Sequence, residues 1–328
     1  MKGILLINLG SPKDLDDQSI KEVLIEFLSD DLVIDYPKII QQTLVRGVIV
    51  PFRYKNTQAA YEEIWSAKGS PLIEMSKNVS KKLQDKISTP VEIGMRYQEP
   101  SIEHGLRSLV NKGCNEIKVI PLYPHYAIST TLTTKLKVEE IVHNLDSNLN
   151  IEYVDHFYNS ENYIKALSSS IQDYIKPETD LLLFSYHGIP KRHLKKATPE
   201  RNHSEELCLK SQCVIKEFCY RHQVMETSRL CAEELNLSED QWKVSFQSRV
   251  GPGWLQPFTD KELEKLPSLG VKNITVTCPS FVSDNLETLE EINMEARETF
   301  MDNGGEEFNY APCLNDDESW IEFLASIS

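Results

Sequence analysis

Apolar residues along this chain follow two rhythms: short unbroken runs, and longer stretches where they recur every three to four positions. The first run, GILLINLG (Gly3–Gly10), is closed by Gly-Ser-Pro, as expected of a strand buried on both faces. VEIGMRY, EIKVIPLYP, IEYVDHF, DLLLFSYHG, KVSFQSR and NITVTCP repeat the pattern. Between them the helical period predicts helices over Gln18–Leu28, Ser101–Asn111, Thr131–Leu145, Asn162–Tyr174, Met225–Leu235 and Asp284–Met301. Alternating strands and helices predict an α/β fold with parallel sheets. So many units predict two doubly wound, Rossmann-like halves rather than one sheet. The polar break LDSNLNIEY places the boundary between residues 1–155 and 156–328. The closing DESWIEFLASIS is expected to form a helix that packs back on the first half.

Parallel sheets of this kind collect reactive groups where strands deliver their C-terminal ends. Three strands end in unusual groups: LYPHYAISTT, FSYHGIP and CPSFVSDNLETLEEI. The first strand ends in NLGSP, which is not a G-x-G-x-x-G dinucleotide loop, and no Walker loop is present. In FSYHGIP, His187 follows an apolar run and precedes Gly188, which lets the backbone turn. An imidazole there suits proton exchange or metal contact. A hydrogen-bonded structural histidine fits the same position, and position alone leaves both readings open.

At about 100° per residue, Asp284, Glu287, Glu291 and Glu295 share one helix face, opposite Leu286, Leu289, Ile292, Ala296 and Phe300. A solvated amphipathic helix reads the same way, and acids in a first turn suit the helix dipole. Carboxylates one turn apart can equally pass a divalent cation along or exchange protons. A third group is aromatic and basic: Tyr97, Tyr123, Tyr126, Trp254 and Phe258 suit a flat apolar cleft, and Arg53 and Arg96 suit substrate carboxylates.

Composition narrows the classes. The 328 residues carry 35 basic and 50 acidic side chains, for a net charge of −15. Such a surface repels phosphates, so nucleic acid is not an expected partner, whereas a cation is compatible. The N-terminal apolar run is too short for a secretory signal, and no window reaches membrane-spanning length, so a cytoplasmic address is expected. Seven cysteines, an odd number, do not suggest a disulfide framework, yet Cys208, Cys213, Cys219 and Cys231 crowd one segment.

Together, LLINLGSP, GSPL, MRY, LYPHYAISTT, SYHGIP, SFQSRVGPGWLQP and FVSDNLETLEEI resemble the ferrochelatase family, in order and over most of the chain. The resemblance implies two similar four-stranded parallel domains with a porphyrin cleft between them. It implies insertion of ferrous iron into protoporphyrin IX, with His187 and Glu287 catalytic and Glu291 and Glu295 leading iron inward. His187 as proton acceptor, or as last metal ligand, both remain open. Arg96, Tyr97, Trp254 and Phe281 match cleft residues, with Tyr123 of the aromatic group a further substrate-binding candidate, and Arg53, Tyr61 and Ser70 match positions near the propionates. Members that act on coproporphyrin resemble one another in carrying tyrosine where this chain has Leu9, so NLGSP looks like the protoporphyrin-using type. Iron is then a substrate, and the chemistry requires no cofactor. PKIIQQTLVRGVIVPFRY matches a cleft lip that touches membrane in some members, and an ordinary packed helix fits it as well. The segment CLKSQCVIKEFCYRHQVMETSRLC resembles an insert that holds a [2Fe-2S] cluster in some members. Here Val224 stands where that insert has a cysteine, and reduced thiols around a helix are the other reading. Another tetrapyrrole chelatase, or a porphyrin or haem carrier, are the remaining functional alternatives.

Overall fold

The computed structural model describes residues 1–145, 148–197, 216–251 and 253–328. They divide into two compact units. The first comprises Met1–Leu122, Ile128–Asp155 and Leu324–Ser328, and the second Tyr123–Ala127 and His156–Phe323.

The first unit is built on a four-stranded sheet of order β2-β1-β3-β4, with β1 Lys2–Asn8, β2 Val91–Met95, β3 Glu116–Pro121 and β4 Asn150–Tyr153. All three pairings are parallel. The continuous apolar run of β1 follows from its central place, since Leu5 and Ile7 on one face pack with Ile102, Leu106 and Leu109 of the helix Ile102–Asn111. That helix begins at Ser101, whose hydroxyl accepts the His104 N–H. A second cluster joins Ile20, Leu24 and Leu28 of the helix Asp17–Leu28 to Val45 and Val50. The helix Lys38–Leu44 and the start of Val50–Ile64 fall in PKIIQQTLVRGVIVPFRY, for which a packed helix is one of the two readings; Pro71–Lys86, which buries Leu72, Val79 and Leu83 on one face, is not among the helices read from the sequence.

The second unit repeats the topology with order β6-β5-β7-β8: β5 Leu181–His187, β6 Trp242–Gln247, β7 Asn273–Thr277 and β8 Glu307–Ala311. β8 escapes the periodicity because it is a short, mixed run, EFNYA, buried only at alternate positions at its start. The helix expected from Met225 begins earlier and spans Tyr220–Glu234. The closing helix Glu318–Ser326 sets Trp320 and Phe323 against Phe157 and Tyr163 of this second unit.

In both units the strand order reverses beside the central strand, between β1 and β3 and between β5 and β7. Strand ends diverge at such a point and leave a crevice. NLGSP and LYPHY follow β1 and β3, and HGIP and CPSF follow β5 and β7. The unusual motifs therefore lie at these reversals. At the first, Gly10 adopts φ +111 and a Cβ there would lie 1.9 Å from the Tyr97 carbonyl oxygen. Gly10→Ala is expected to destabilise the protein by about 2–3 kcal/mol, read as a lowered urea midpoint at unchanged slope.

Candidate active site

His187 is the last residue of β5, half-buried at its C-terminal end. Its Nδ1 lies 2.7 Å from the Gly188 carbonyl oxygen. A carbonyl only accepts, so Nδ1 carries the hydrogen and Nε2 presents its lone pair in the neutral ring. Phe281 meets the imidazole edge-on at 6.1 Å between centroids. Gly188 is needed for close approach, because a Cβ would sit 2.8 Å from the Gln247 carbonyl oxygen.

The acidic row follows β7 and departs from the regular helix expected over Asp284–Met301. Asn285 caps a short turn, Leu286–Leu289, through a reciprocal bond with Thr288. A wider π-type turn, Glu291–Ala296, comes next, then the helix Arg297–Asp302. The Glu295 N–H donates to the Glu290 carbonyl at 3.0 Å, five residues back. The extra residue in that turn breaks the even spacing from Glu291 to Glu295 and brings Glu290 beside Glu295. Burial first, then the carboxylates of Glu295, Glu291 and Glu287, push Glu290 up to about 7. Sequence reasoning missed Glu290; the only signal was its pairing with Glu291.

Glu291 is also raised by burial, against two bonds from Ser248 and attraction from His187. The Ser248 N–H donates to Oε1 at 2.7 Å and its hydroxyl to Oε2 at 2.5 Å. Ser248 takes φ +59, rare for a non-glycine residue. Gln247 donates to the Glu287 carbonyl at 2.8 Å, which ties the start of the row to β6. Glu287 is half-buried and Glu295 exposed.

Asp284 does not share the stripe. It is buried before the cap and accepts from Tyr310 Oη at 2.5 Å, Asn315 Nδ2 at 2.7 Å, Thr288 Oγ1 at 3.1 Å and the Cys313 N–H at 3.2 Å. So many donors make it a structural anchor. Among the described residues, no group of three His, Cys, Asp or Glu side chains is arranged to hold a metal ion.

In the first unit, Arg96 and Tyr97 meet Asp30 rather than presenting an open fork. Asp30 Oδ2 accepts from Arg96 Nη2 at 2.5 Å, Thr133 Oγ1 at 2.5 Å and Tyr97 Oη at 3.0 Å. Arg96 Nε donates to Thr133 at 2.9 Å, and the guanidinium lies 4.4 Å from the Tyr97 ring centroid. The pair is nearly buried, with side-chain exposures of 13% and 6%. Two of the Arg96 nitrogens, Nε and Nη2, are thus engaged inside the protein.

Arg53 is exposed on the helix Val50–Ile64, and Tyr61 of that helix is half-buried against Trp65. Ser70 starts the helix Pro71–Lys86, and its buried hydroxyl makes no hydrogen bond among the described residues. Leu9 sits half-buried in the turn after β1, its carbonyl accepting the Tyr97 N–H at 2.9 Å. Tyr123 and Tyr126 are buried in the second unit, where Trp254, Phe258 and Phe281 are half-buried. Arg249 lies 4.4 Å over the Phe258 ring.

Cys208 and Cys213 lie outside the described residues. Cys219 caps the helix Tyr220–Glu234 and Cys231 lies within it. Twelve residues of helix separate the two by about 18 Å. Metal–thiolate bonds are about 2.3 Å long, so one two-iron cluster does not reach both. Cys231 is buried, accepts from Ser168 Oγ at 3.1 Å, and burial pushes its thiol up to about 12. Cys219 and Cys231 therefore do not serve one two-iron cluster together.

The family model described as Ferrochelatase matches residues 1–328. The chain is 44% identical over 331 residues to "Ferrochelatase" of Opitutus terrae, covering 99% of this chain and 96% of that one. It is 41% identical to "Ferrochelatase" of Legionella pneumophila, covering 99% and 98%. It is 39% identical to "Ferrochelatase" of Pseudomonas fluorescens, covering 99% and 96%. Among solved structures it is similar to the sirohydrochlorin chelatase SirB of Bacillus subtilis subspecies spizizenii in complex with cobalt, with TM-score 0.56, 13% identity and coverage of 98% and 91%. SirB from Bacillus subtilis with Fe3+ gives TM-score 0.53 at 13% identity, covering 99% and 93%. These two likenesses carry the fold alone.

The Glu290 carboxyl sets a sign for pH dependence. Its value in the folded chain, about 7, stands above the ordinary 4.5, so the native state binds the proton more tightly than the unfolded one. Its contribution is complete below 4.5 and is lost as pH rises through about 7. Glu290→Gln should therefore raise Tm relative to the parent at pH 8 and lose that advantage towards pH 5. Thermal melts across that range check it.

Proposed function

Since the chain belongs to the ferrochelatase family, we infer that it is a metal chelatase that inserts Fe2+ into protoporphyrin IX, releasing two pyrrole protons and forming protohaem. The observation that carries this reading is one set in the second unit: His187, with Nε2 left as base, pairs in register with Gln247, which holds the Glu287 carbonyl, and the next residue, Ser248, holds the Glu291 carboxylate.

Two pyrrole N–H bonds break as iron–nitrogen bonds form, so the site must accept two protons and deliver one dication. We assign His187 Nε2 as acceptor of pyrrole protons. Glu287 and Glu291 handle iron and protons, and the exposed Glu295 begins the path. Burial raises Glu291 while Ser248 holds both its oxygens, a balance that suits a group exchanging a proton for a cation. Leu9, Arg53, Tyr61, Ser70, Tyr123, Trp254 and Phe281 are assigned to the porphyrin. Arg96 and Tyr97 serve it through the wall they build with Asp30. In this reading iron is substrate, and the chemistry needs no cofactor.

The apolar face of the helix Lys38–Leu44 and its continuation belongs to the same reading. Ile39 is 84% and Phe52 80% exposed, with Ile40 and Val48 beside them. Such a patch costs free energy in water, and we assign it to a lipid surface from which a poorly soluble porphyrin arrives. Among the described residues no helix is long and apolar enough to cross a membrane, and we assign the protein to the cytoplasm, in peripheral contact with that surface.

Mixing the protein anaerobically with protoporphyrin and Fe2+ or Zn2+ should convert the free-porphyrin spectrum to that of the metalloporphyrin. Binding without metallation would instead identify a carrier, and preference for another tetrapyrrole a different chelatase. His187→Ala and Glu287→Gln should each lower kcat by roughly 10²-fold or more while porphyrin Kd changes little. A near-normal rate in either removes that residue from its role. Ile39→Asp should weaken co-sedimentation with neutral phosphatidylcholine vesicles while turnover on detergent-dispersed porphyrin persists; unchanged sedimentation would refute the lipid contact.

A further inference from the structure

His187 ends its strand where the sheet can no longer support it on one side. The Gly188 N–H donates to the Gln247 carbonyl at 2.9 Å, towards β6. Successive residues of a strand direct their backbone polar groups to opposite neighbours, so the N–H and C=O of His187 point towards β7. The β5–β7 pairing stops at Phe184 with Thr277, three residues earlier. Left alone, both groups would be partly buried and unpaired.

Side chains fill the gap. The His187 N–H donates to Ser280 Oγ at 3.0 Å. Tyr220 Oη donates to the His187 carbonyl at 2.8 Å. Ser280 Oγ and Tyr220 Oη are themselves 2.8 Å apart. Because the tyrosine hydrogen is used on the carbonyl, the serine hydroxyl must donate to the tyrosine oxygen. The bonds form a closed ring running in one direction, and each strengthens the next.

Tyr220 is itself held. His125 packs edge-on against Tyr220 at 5.9 Å and Tyr186 at 5.4 Å, and its Nε2 lies 2.9 Å from Thr227 Oγ1. Burial holds His125 down at about 3, so this support stays neutral. Thr227 belongs to the helix that Tyr220 begins. The ring thus joins three elements: the end of β5, the loop after β7, and the start of the helix Tyr220–Glu234.

We propose that Tyr220 and Ser280 are positioning residues that fix the backbone of His187, and through it the aim of the imidazole, by replacing the strand pairing β7 does not provide. This rests on the proposed catalytic role of His187. Neither hydroxyl meets substrate in this account. Tyr220, directly after Cys219, thus ties the start of its helix to the catalytic strand end.

Tyr220→Phe and Ser280→Ala each remove one link and little volume. Each should lower kcat for Fe2+ and for Zn2+ insertion roughly tenfold, with porphyrin KM within about twofold of the parent. Ser280→Thr, which keeps the hydroxyl, should recover most of the rate. If both truncations keep kcat within about twofold, or if kcat and KM worsen together in step with a fall in Tm and Ser280→Thr is no better than Ser280→Ala, the proposal is overturned. Should Tyr220→Phe fail to fold, Ser280→Ala against Ser280→Thr decides it. A parent that does not metallate porphyrin, or a fully active His187→Ala, overturns the functional reading instead; an active parent with unaffected clamp variants overturns only the clamp.

Discussion

A strand buried in the middle of a parallel sheet cannot stop without leaving backbone groups that need partners, and both reactive strand ends of this chain are organised by that constraint. The two units meet it differently. After β1, backbone answers backbone: the Asn8 carbonyl accepts from the Arg96 N–H, Leu9 from Tyr97, and Ile7 from Leu122. After β5, two hydroxyls take the place of a strand. The first solution uses main chain alone. The second places a reactive residue at the last supported position of the sheet, where its side chain leaves the core without losing its footing.

Carboxylates close together in sequence are given unlike work by their surroundings. Asp284 is surrounded by donors and becomes part of the frame. Three residues on, Glu287 keeps its side chain outside that network while Gln247 fixes its backbone. Glu291 is held by Ser248, and Glu290 stands among like charges with burial against it. The π-type turn adds to this: its extra residue brings Glu290 beside Glu295, a like-charge contact five residues apart that a regular helix does not make. Arg96 and Asp30 show the complementary case, a charged pair taken out of water to brace an aromatic wall.

Much of this was legible beforehand. Seven of the eight strands announce themselves, the central β1 and β5 most plainly, because strands buried on both faces must be apolar throughout. β8 did not, since its five residues interleave Glu307 and Asn309 with the buried Phe308, Tyr310 and Ala311 and give no continuous apolar run. The helices Lys38–Leu44 and Val50–Ile64 were legible only as one of two readings of PKIIQQTLVRGVIVPFRY, because their apolar residues are partly exposed, which breaks the one-sided pattern that marks a packed helix. His187 was legible as a candidate from its place before Gly188, and Glu287 and Glu291 from their spacing. Asp284 was misread because spacing cannot report burial, and Cys231 because crowding in sequence is not proximity along a helix.

By itself, then, the order of residues determined the α/β class, the parallel strands, the motifs at their ends and membership of a family, because these depend on local periodicity and short-range spacing. Tertiary structure alone decided which groups serve as frame and which stay free. Asp30 reaches Arg96 across 66 positions, Ser280 reaches His187 across 93, and Ser248 reaches Glu291 across 43. Such partnerships leave no periodic trace, since each is one bond between residues that only the completed sheets bring together. The physical reason is the same throughout: a buried polar group must find a partner, and the sequence states the need without saying where it is met.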